Sequence, residues 1–351
     1  MPAFTDLPLT INLLLFAVAA LVVMFAGARL SGYADAISSA TGLGHAAVGL
    51  LLLAGVTSLP EIGVTVTATL GGNAGLALNN LFGSIAMQVA LLAVVDFALG
   101  RRALTAIVPD PTVMLEGSLN VLLLAIVASG MVVGDILFLG AGLWSWSCLF
   151  GYVACVYILS REKGRKPWLA ASRGKPDREL MEETERTEAG GDGKRNFRSL
   201  LLKTASAAAA ILVAGFVVAR TGEAIAEQSG LGTSFVGFVL VAISTSLPEA
   251  STALSAARHG YFTMAISDIL GTNLINVGLV FLVDILSSAG PVLGEADTFA
   301  TFGTLLAIVL TALFLAGLAE RRDKSVLRMG YDSISVILVY AVGLVILFTL
   351  R

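Results

Sequence analysis

Two short strings carry most of the chemistry: "GVTSLPE" at residues 55–61 and "ISTSLPE" at 243–249. Each places a threonine four residues ahead of a glutamate. Thr57 and Glu61, and likewise Thr245 and Glu249, therefore share a helix face. A proline stands just before each glutamate. Pro60 and Pro248 have no N–H, so the carbonyls of Val56 and Ser244, four residues back, lose their helical partner. Each string thus gathers a carboxylate, a hydroxyl and loosened carbonyls at one level. Two such strings brought together form an all-oxygen cage with two negative charges. That cage suits Ca²⁺, which takes about 6–8 oxygen ligands, whereas softer metals prefer His or Cys. His45 and His259 do not match between the strings and read as surface residues. Cys148 and Cys155 share one apolar segment and read as packing residues, too far apart for a disulfide.

The elements that hold these strings must lie in a bilayer. Hydrophobic residues make up 56% of the 351-residue chain, charged residues 13%, and the mean hydropathy is +0.88. A soluble domain cannot hide that much apolar surface. A net charge of −3 offers nothing that would draw in nucleic acid. Windows of about 20 apolar residues fall at 8–28, 44–70, 74–99, 112–132, 136–160, 199–219, 232–257, 262–287, 298–318 and 332–350. The first lacks a basic leader and reads as a span, not a signal peptide. Residues 161–198, with "ELMEETERTEAGGDGKR", read as a solvated linker. The chain divides into a first membrane repeat (1–160), this cytoplasmic linker, and a second repeat (199–351). "LGGNAG" at 70–75 reads as a turn between helices, since no strand precedes it and no Lys-Ser/Thr follows.

The second string follows the first by 188 residues (Glu61 to Glu249), and the offset holds without a gap. Thr57, Ser58, Pro60, Gly83 and Asp96 meet Thr245, Ser246, Pro248, Gly271 and Asp284. Five spans per half force the second half to enter the membrane inverted, the plan of secondary transporters with a midplane site between the halves. With the N-terminus outside, 20 of the 22 Lys and Arg fall on the cytoplasmic side, leaving only Arg220 and Arg351 outside. Outer connections carry Asp135, Glu223, Glu227, Glu295 and Asp297. Both termini are therefore expected outside.

Asn80 and its repeat mate Asp268 come from the next span of each half and approach the glutamate pair. A carboxylate at the bilayer centre costs at least ~2.5 kcal/mol. Glu61, Glu249 and Asp268 need cations or protons, because no Lys or Arg falls within the core of any expected span. Asp96 and Asp284 lie near span ends and read as stabilising or interfacial.

In "AGVTSLPE" (54–61), "AISTSLPE" (242–249) and "SDILGTNLIN" (267–276) the sequence resembles the cation/calcium exchanger superfamily, sodium/calcium exchanger type. The resemblance covers both halves. It implies an all-α membrane protein of ten helices in two inverted five-helix repeats, working by alternating access. It implies Thr57, Glu61, Thr245 and Glu249 as calcium ligands. Ala54 and Ala242 match positions that offer carbonyls to sodium, and Ser58 and Ser246 match sodium-linked hydroxyls. Asn80 and Asp268 match the central polar pair. Two features depart from the pattern. Leu76 and Met264 stand where a hydroxyl residue is expected, four before Asn80 and Asp268. Gly83-Ser84-Ile85 replaces Gly-Ser-Asn and Gln88 replaces a later Asn, although Asn273 and Asn276 are kept.

The expectation is a Ca²⁺/Na⁺ antiporter in the cell membrane, with inorganic cations and lipid as its partners and no cofactor. Protons are the alternative counter-ion, since clustered carboxylates perturb one another's ionisation. A divalent-cation channel would share the acidic ligands, but channels usually close a ring of subunits. An intramembrane hydrolase lacks a zinc motif or a Ser/His arrangement.

Overall fold

A computed structural model describes residues 4–41, 55, 57–99, 104–107, 112–161, 197–258, 260, 262–320, 325–326 and 329–351. The expectations for Ala54, His45, His259 and nearly all of the 161–198 linker lie outside these residues. The described chain is helical apart from two short hairpins. Among the described residues, eight helices are long and apolar enough to cross a bilayer. They are α1 (Leu9–Thr41), α3 (Ala74–Leu99), α4 (Thr112–Val133), α5 (Leu143–Ser160), α6 (Phe197–Ser229), α9 (Phe262–Leu286), α10 (Thr298–Glu320) and α11 (Tyr331–Leu350). The expected seventh span is broken: α7 (Thr233–Thr245) and α8 (Leu247–Arg258) meet at a bend of 46°. Of the expected second span, the described helix is the short α2 (Leu59–Leu70).

The repeat is written in the element boundaries. Moving α1 by 188 residues gives α6 end for end, and α2 moved likewise gives α8. Hairpin β1 (Leu137–Phe138) with β2 (Ala141–Gly142) recurs as β3 (Ser325–Val326) with β4 (Met329–Gly330), at the same offset.

Three expected boundaries need correction. The fifth span begins at Leu143, not at 136, because residues 137–142 form the first hairpin. Its turn places Leu139 and Gly140 at φ 48° and 85°, the left-handed geometry that closes tight hairpins. Asp135 pins it by accepting the N–H groups of Ile136 (2.8 Å) and Trp144 (3.1 Å). The sixth helix runs on to Ser229, so Glu223 and Glu227 lie on helix, not in a connection. The first helix continues past residue 28 to Thr41.

Contacts between helix ends sort the elements onto two faces. Asn12, near the start of α1, bonds Gln228 at the end of α6 (3.3 Å). Gly222 of α6 lies against Val236 of α7 and Leu76 of α3, and Phe235 packs on Phe348 near the end of α11. The end of α2 meets the later part of α6 where Arg220 touches Gly71. One face thus holds the start of α1, the ends of α2, α6 and α11, and the start of α3. The end of α3 lies on the other face, where Asp96 reaches Gly330. Gly317, near the end of α10, touches Asp332 there too. Because α10 starts against the end of α4 (Thr304 with Met131), the first hairpin and the end of α9 return to the first face.

Asp96 and Asp284 are both buried, and each ties its own half to the other. Asp96 accepts the N–H groups of Leu104 (2.6 Å) and Gly330 (2.8 Å). Asp284 accepts those of Val292 (2.7 Å) and Gly142 (2.5 Å). Leu104 and Val292 are repeat mates, as are Gly142 and Gly330. The long helices exchange in the same manner. Gly27 of α1 lies against Pro248, and Gly215 of α6 lies against Pro60 and Gly63. An added Cβ at Gly27 would stand 2.6 Å from the proline ring, so only glycine lets α1 approach the break of the opposite repeat.

Candidate cation-binding site

The site is assembled where α2 and α8 start. Ser58 and Ser246 leave helical geometry with φ/ψ of −76°/2° and −84°/3°, values in the sparsely allowed bridge region. Their carbonyls are taken by the N–H groups of Ile62 and Ala250, both at 3.0 Å. Pro60 and Pro248 sit in the first turn of the resumed helices, where a missing N–H does least harm. Each break therefore turns the chain once and restarts a helix with its glutamate in the first turn. Ahead of the second break, Gly237–Val241 is wound as a π-helix, a form often found at functional sites. Its backbone lies directly on α3: Gly83 faces the Phe238 carbonyl so closely that no side chain fits there.

Of the residues expected at the site, Thr57, Ser58, Glu61, Asn80, Ala242, Thr245, Ser246, Glu249 and Asp268 are all buried, and the contacts below draw most of them together. Glu61 approaches Thr245 of the other half, and Glu249 approaches Thr57. Glu249 also lies within electrostatic range of Glu61 and Asp268. None of the four oxygens of Glu61 and Glu249 has a hydrogen-bond partner, nor does Oδ1 of Asp268. Around them the polar side chains interlock. Thr245 Oγ1 donates to Asn80 Oδ1 or to the Ala242 carbonyl (both 3.3 Å) and shares a hydrogen bond with Ser84 Oγ (3.2 Å). Gln88 Nε2 donates to Ser246 Oγ (3.2 Å). Thr252 Oγ1 donates to Asp268 Oδ2 (2.7 Å).

Among the described residues no group of three or more His, Cys, Asp or Glu is placed to hold a metal ion. The donor set is instead two carboxylates with hydroxyl, amide and backbone oxygens. Unpaired carboxylate oxygens without a hydrogen-bond donor are strongly disfavoured in a dry interior, so this arrangement is built to receive positive charge.

Leu76 and Met264 bring no oxygen. Leu76 is fully buried, whereas Met264 is 53% exposed and turned away. Ser84, Gln88 and Thr252 were not singled out from sequence as site groups, although the first two follow Asn80 at four-residue steps along one face of α3. Glu116 and Asn120, on one face of α4, were also missed. Both are buried, and Asn120 Nδ2 donates to the Leu270 carbonyl of α9 (2.8 Å). Two polar residues four apart in an apolar run were the available signal.

A family model described as sodium/calcium exchanger protein matches residues 11–161 and 199–349. Inner membrane protein YrbG of Escherichia coli (strain K12) is 26% identical over 309 residues, covering 88% of this chain and 89% of the relative. Sodium/calcium exchanger MaX1 of Methanosarcina acetivorans is 31% identical over 137 residues, 38% of each chain. Among solved structures, the H+/Ca2+ exchanger CAX superposes with a TM-score of 0.67 at 14% identity. That match covers 97% of this chain and 86% of the other, a likeness of fold.

Proposed function

The chain belongs to the sodium/calcium exchanger protein family, and on that premise we propose that it exchanges Ca²⁺ for Na⁺ across the cell membrane by alternating access. The family is one of membrane cation exchangers rather than catalytic enzymes, and the apolar helices make the chain a multi-pass membrane protein. The observation that carries the reading is that Glu61 and Glu249, from opposite halves, lie within electrostatic range of each other with all four carboxylate oxygens buried and unpaired. Thr57, Glu61, Thr245 and Glu249 bind calcium. Ser58, Ser246, Asn80, Asp268 and the Ala54 and Ala242 carbonyls serve the counter-ion. An empty site with two bare charges resists crossing a dry barrier, which couples the outward step to the return. The α1–α6 pair, which packs on the two breaks through Gly27 and Gly215, moves against the rest. The eight crossing helices, the α7–α8 pair and the span ending in α2 make ten. Both termini and the first hairpin face outward.

A second reading, proton coupling, is favoured by one observation: the two positions that would add sodium-binding hydroxyls are occupied by Leu76 and Met264. Proteoliposomes loaded with radioactive Ca²⁺ and given sodium and proton gradients separately decide between them. Release driven by sodium alone supports the first reading, and release driven by protons alone supports the second. If neither gradient moves calcium, the exchanger reading fails.

A further inference from the structure

Buried threonines on membrane helices ordinarily satisfy their hydroxyls by donating to the carbonyl one turn back. Thr221, Thr304 and Thr311 do so here. Thr65, Thr69 and Thr272 do not. Each is buried, and each Oγ1 has no hydrogen-bond partner. Asn276, fully buried, has both side-chain polar atoms unpaired. Such groups call for a partner that is not protein.

These four residues are placed together. Thr65 and Thr69 follow Glu61 at four-residue steps on one face of α2, and Thr272 and Asn276 follow Asp268 likewise on α9. Gly63 marks the α2 face that lies on α6. Thr65, two residues on, is about 200° around the helix, toward α3 and α9, the other neighbours of α2. Helices α2 and α9 end on the same face of the molecule. These four residues therefore run from the glutamate pair toward that face.

Their repeat mates, which run toward the opposite face, are different. Ala253 and Ala257 stand for Thr65 and Thr69. Ser84 and Gln88 stand for Thr272 and Asn276, but they bond Thr245 and Ser246, leaving only the Gln88 oxygen unpaired.

We propose that Thr65, Thr69, Thr272 and Asn276 line a hydrophilic path by which a partly dehydrated cation travels between the Glu61–Glu249 site and the face where α2 ends. Hydroxyl and amide oxygens about 6 Å apart along each helix replace hydration oxygens step by step, as a hard cation requires. The path opens beside Arg220 and Glu223, paired at 3.0 Å, with the Arg220 guanidinium against Gly71 at the end of α2. The opposite half of the route is lined by alanine and closed hydrogen bonds, so cation entry is unequal on the two sides.

The proposal rests on the cation-antiport reading, and its test separates the two. The full chain is reconstituted in proteoliposomes as wild type, Thr65→Val/Thr69→Val, and Glu61→Gln. Valine keeps the shape of threonine and removes the hydroxyl. The double variant is expected to bind Ca²⁺ within about twofold of wild type while exchanging it roughly tenfold more slowly, the loss of two hydroxyl contacts in transit. Exchange at the wild-type rate would overturn the path. So would a loss of affinity equal to that of Glu61→Gln, which would make these residues site ligands. Normal exchange by Glu61→Gln instead overturns the site reading. A second measurement does not depend on rates. With Cys148 and Cys155 replaced by alanine, Thr69→Cys is expected to react with a membrane-impermeant thiol reagent from one side only, and Ca²⁺ is expected to slow the reaction. No reaction from either side overturns the path.

Discussion

A buried carboxylate tends to be neutralised by a proton, a cationic side chain or a bound ion. Glu61 and Glu249 lie fully buried with their oxygens unpaired, and the hydroxyls near them come from the opposite repeat. Neither half of the chain can therefore make the site alone, and neither glutamate can take the place of the other. Replacing Glu61 or Glu249 by glutamine keeps the shape and removes one of the two charges facing a divalent ion. Breaking a buried charge pair in this way costs on the order of 3 kcal/mol, about a hundredfold in affinity. Each variant should insert and fold normally yet lose calcium exchange and bind Ca²⁺ about a hundredfold more weakly by calorimetry. Retention of near wild-type affinity by either variant removes that residue from the site.

At the scale of elements, the fold works by exchange between halves. A glycine of each long helix rests on the proline break of the other repeat, and an aspartate of each half bonds a hairpin glycine of the other. Asp96 and Asp284 were legible in the sequence as a matched pair near span ends. Their partners were not, because hairpins of two-residue strands carry no periodicity; the first lies inside an apolar stretch and reads as more helix, and the second falls in a connection between spans. The break at Ser246 was legible from Pro248. The π-wound turn before it was not, since its backbone packs on Gly83, a residue far away in the chain. Because the two aspartates make equivalent bonds, Asp96→Ala and Asp284→Ala should destabilise the protein alike. Each leaves two buried N–H groups unsatisfied, at about 1–3 kcal/mol apiece. Thermal unfolding in detergent, followed by loss of monodisperse protein, should show similar downward shifts for both. A neutral result for one of them would mean that only one hairpin is held by its aspartate.

At the scale of the whole molecule, the offset that aligned two glutamates in the sequence also aligns helix ends, hairpins and cross-repeat bonds. Sequence alone conveyed the duplication because the ligands and the breaks are repeated residue for residue. The alanines that stand for Thr65 and Thr69 are also written there; the rest of the unequal lining is not, because it depends on which hydroxyls and amides are paired in space. An inverted duplication also fixes where equivalent parts must emerge. The first hairpin lies with the starts of α1 and α3, and the second lies with the ends of α3 and α10, on opposite faces. With 20 of 22 basic residues assigned to the cytoplasmic side, the first hairpin should emerge outside and the second inside. Single cysteines at Leu139 and Ser325, introduced with Cys148 and Cys155 replaced by alanine, put this to the test. In intact spheroplasts an impermeant thiol reagent should label Leu139→Cys, whereas Ser325→Cys should react only after the membrane is opened. Labelling of both from the same side would mean that the halves are not inverted, and Glu61 and Glu249 could not then face each other across a common axis.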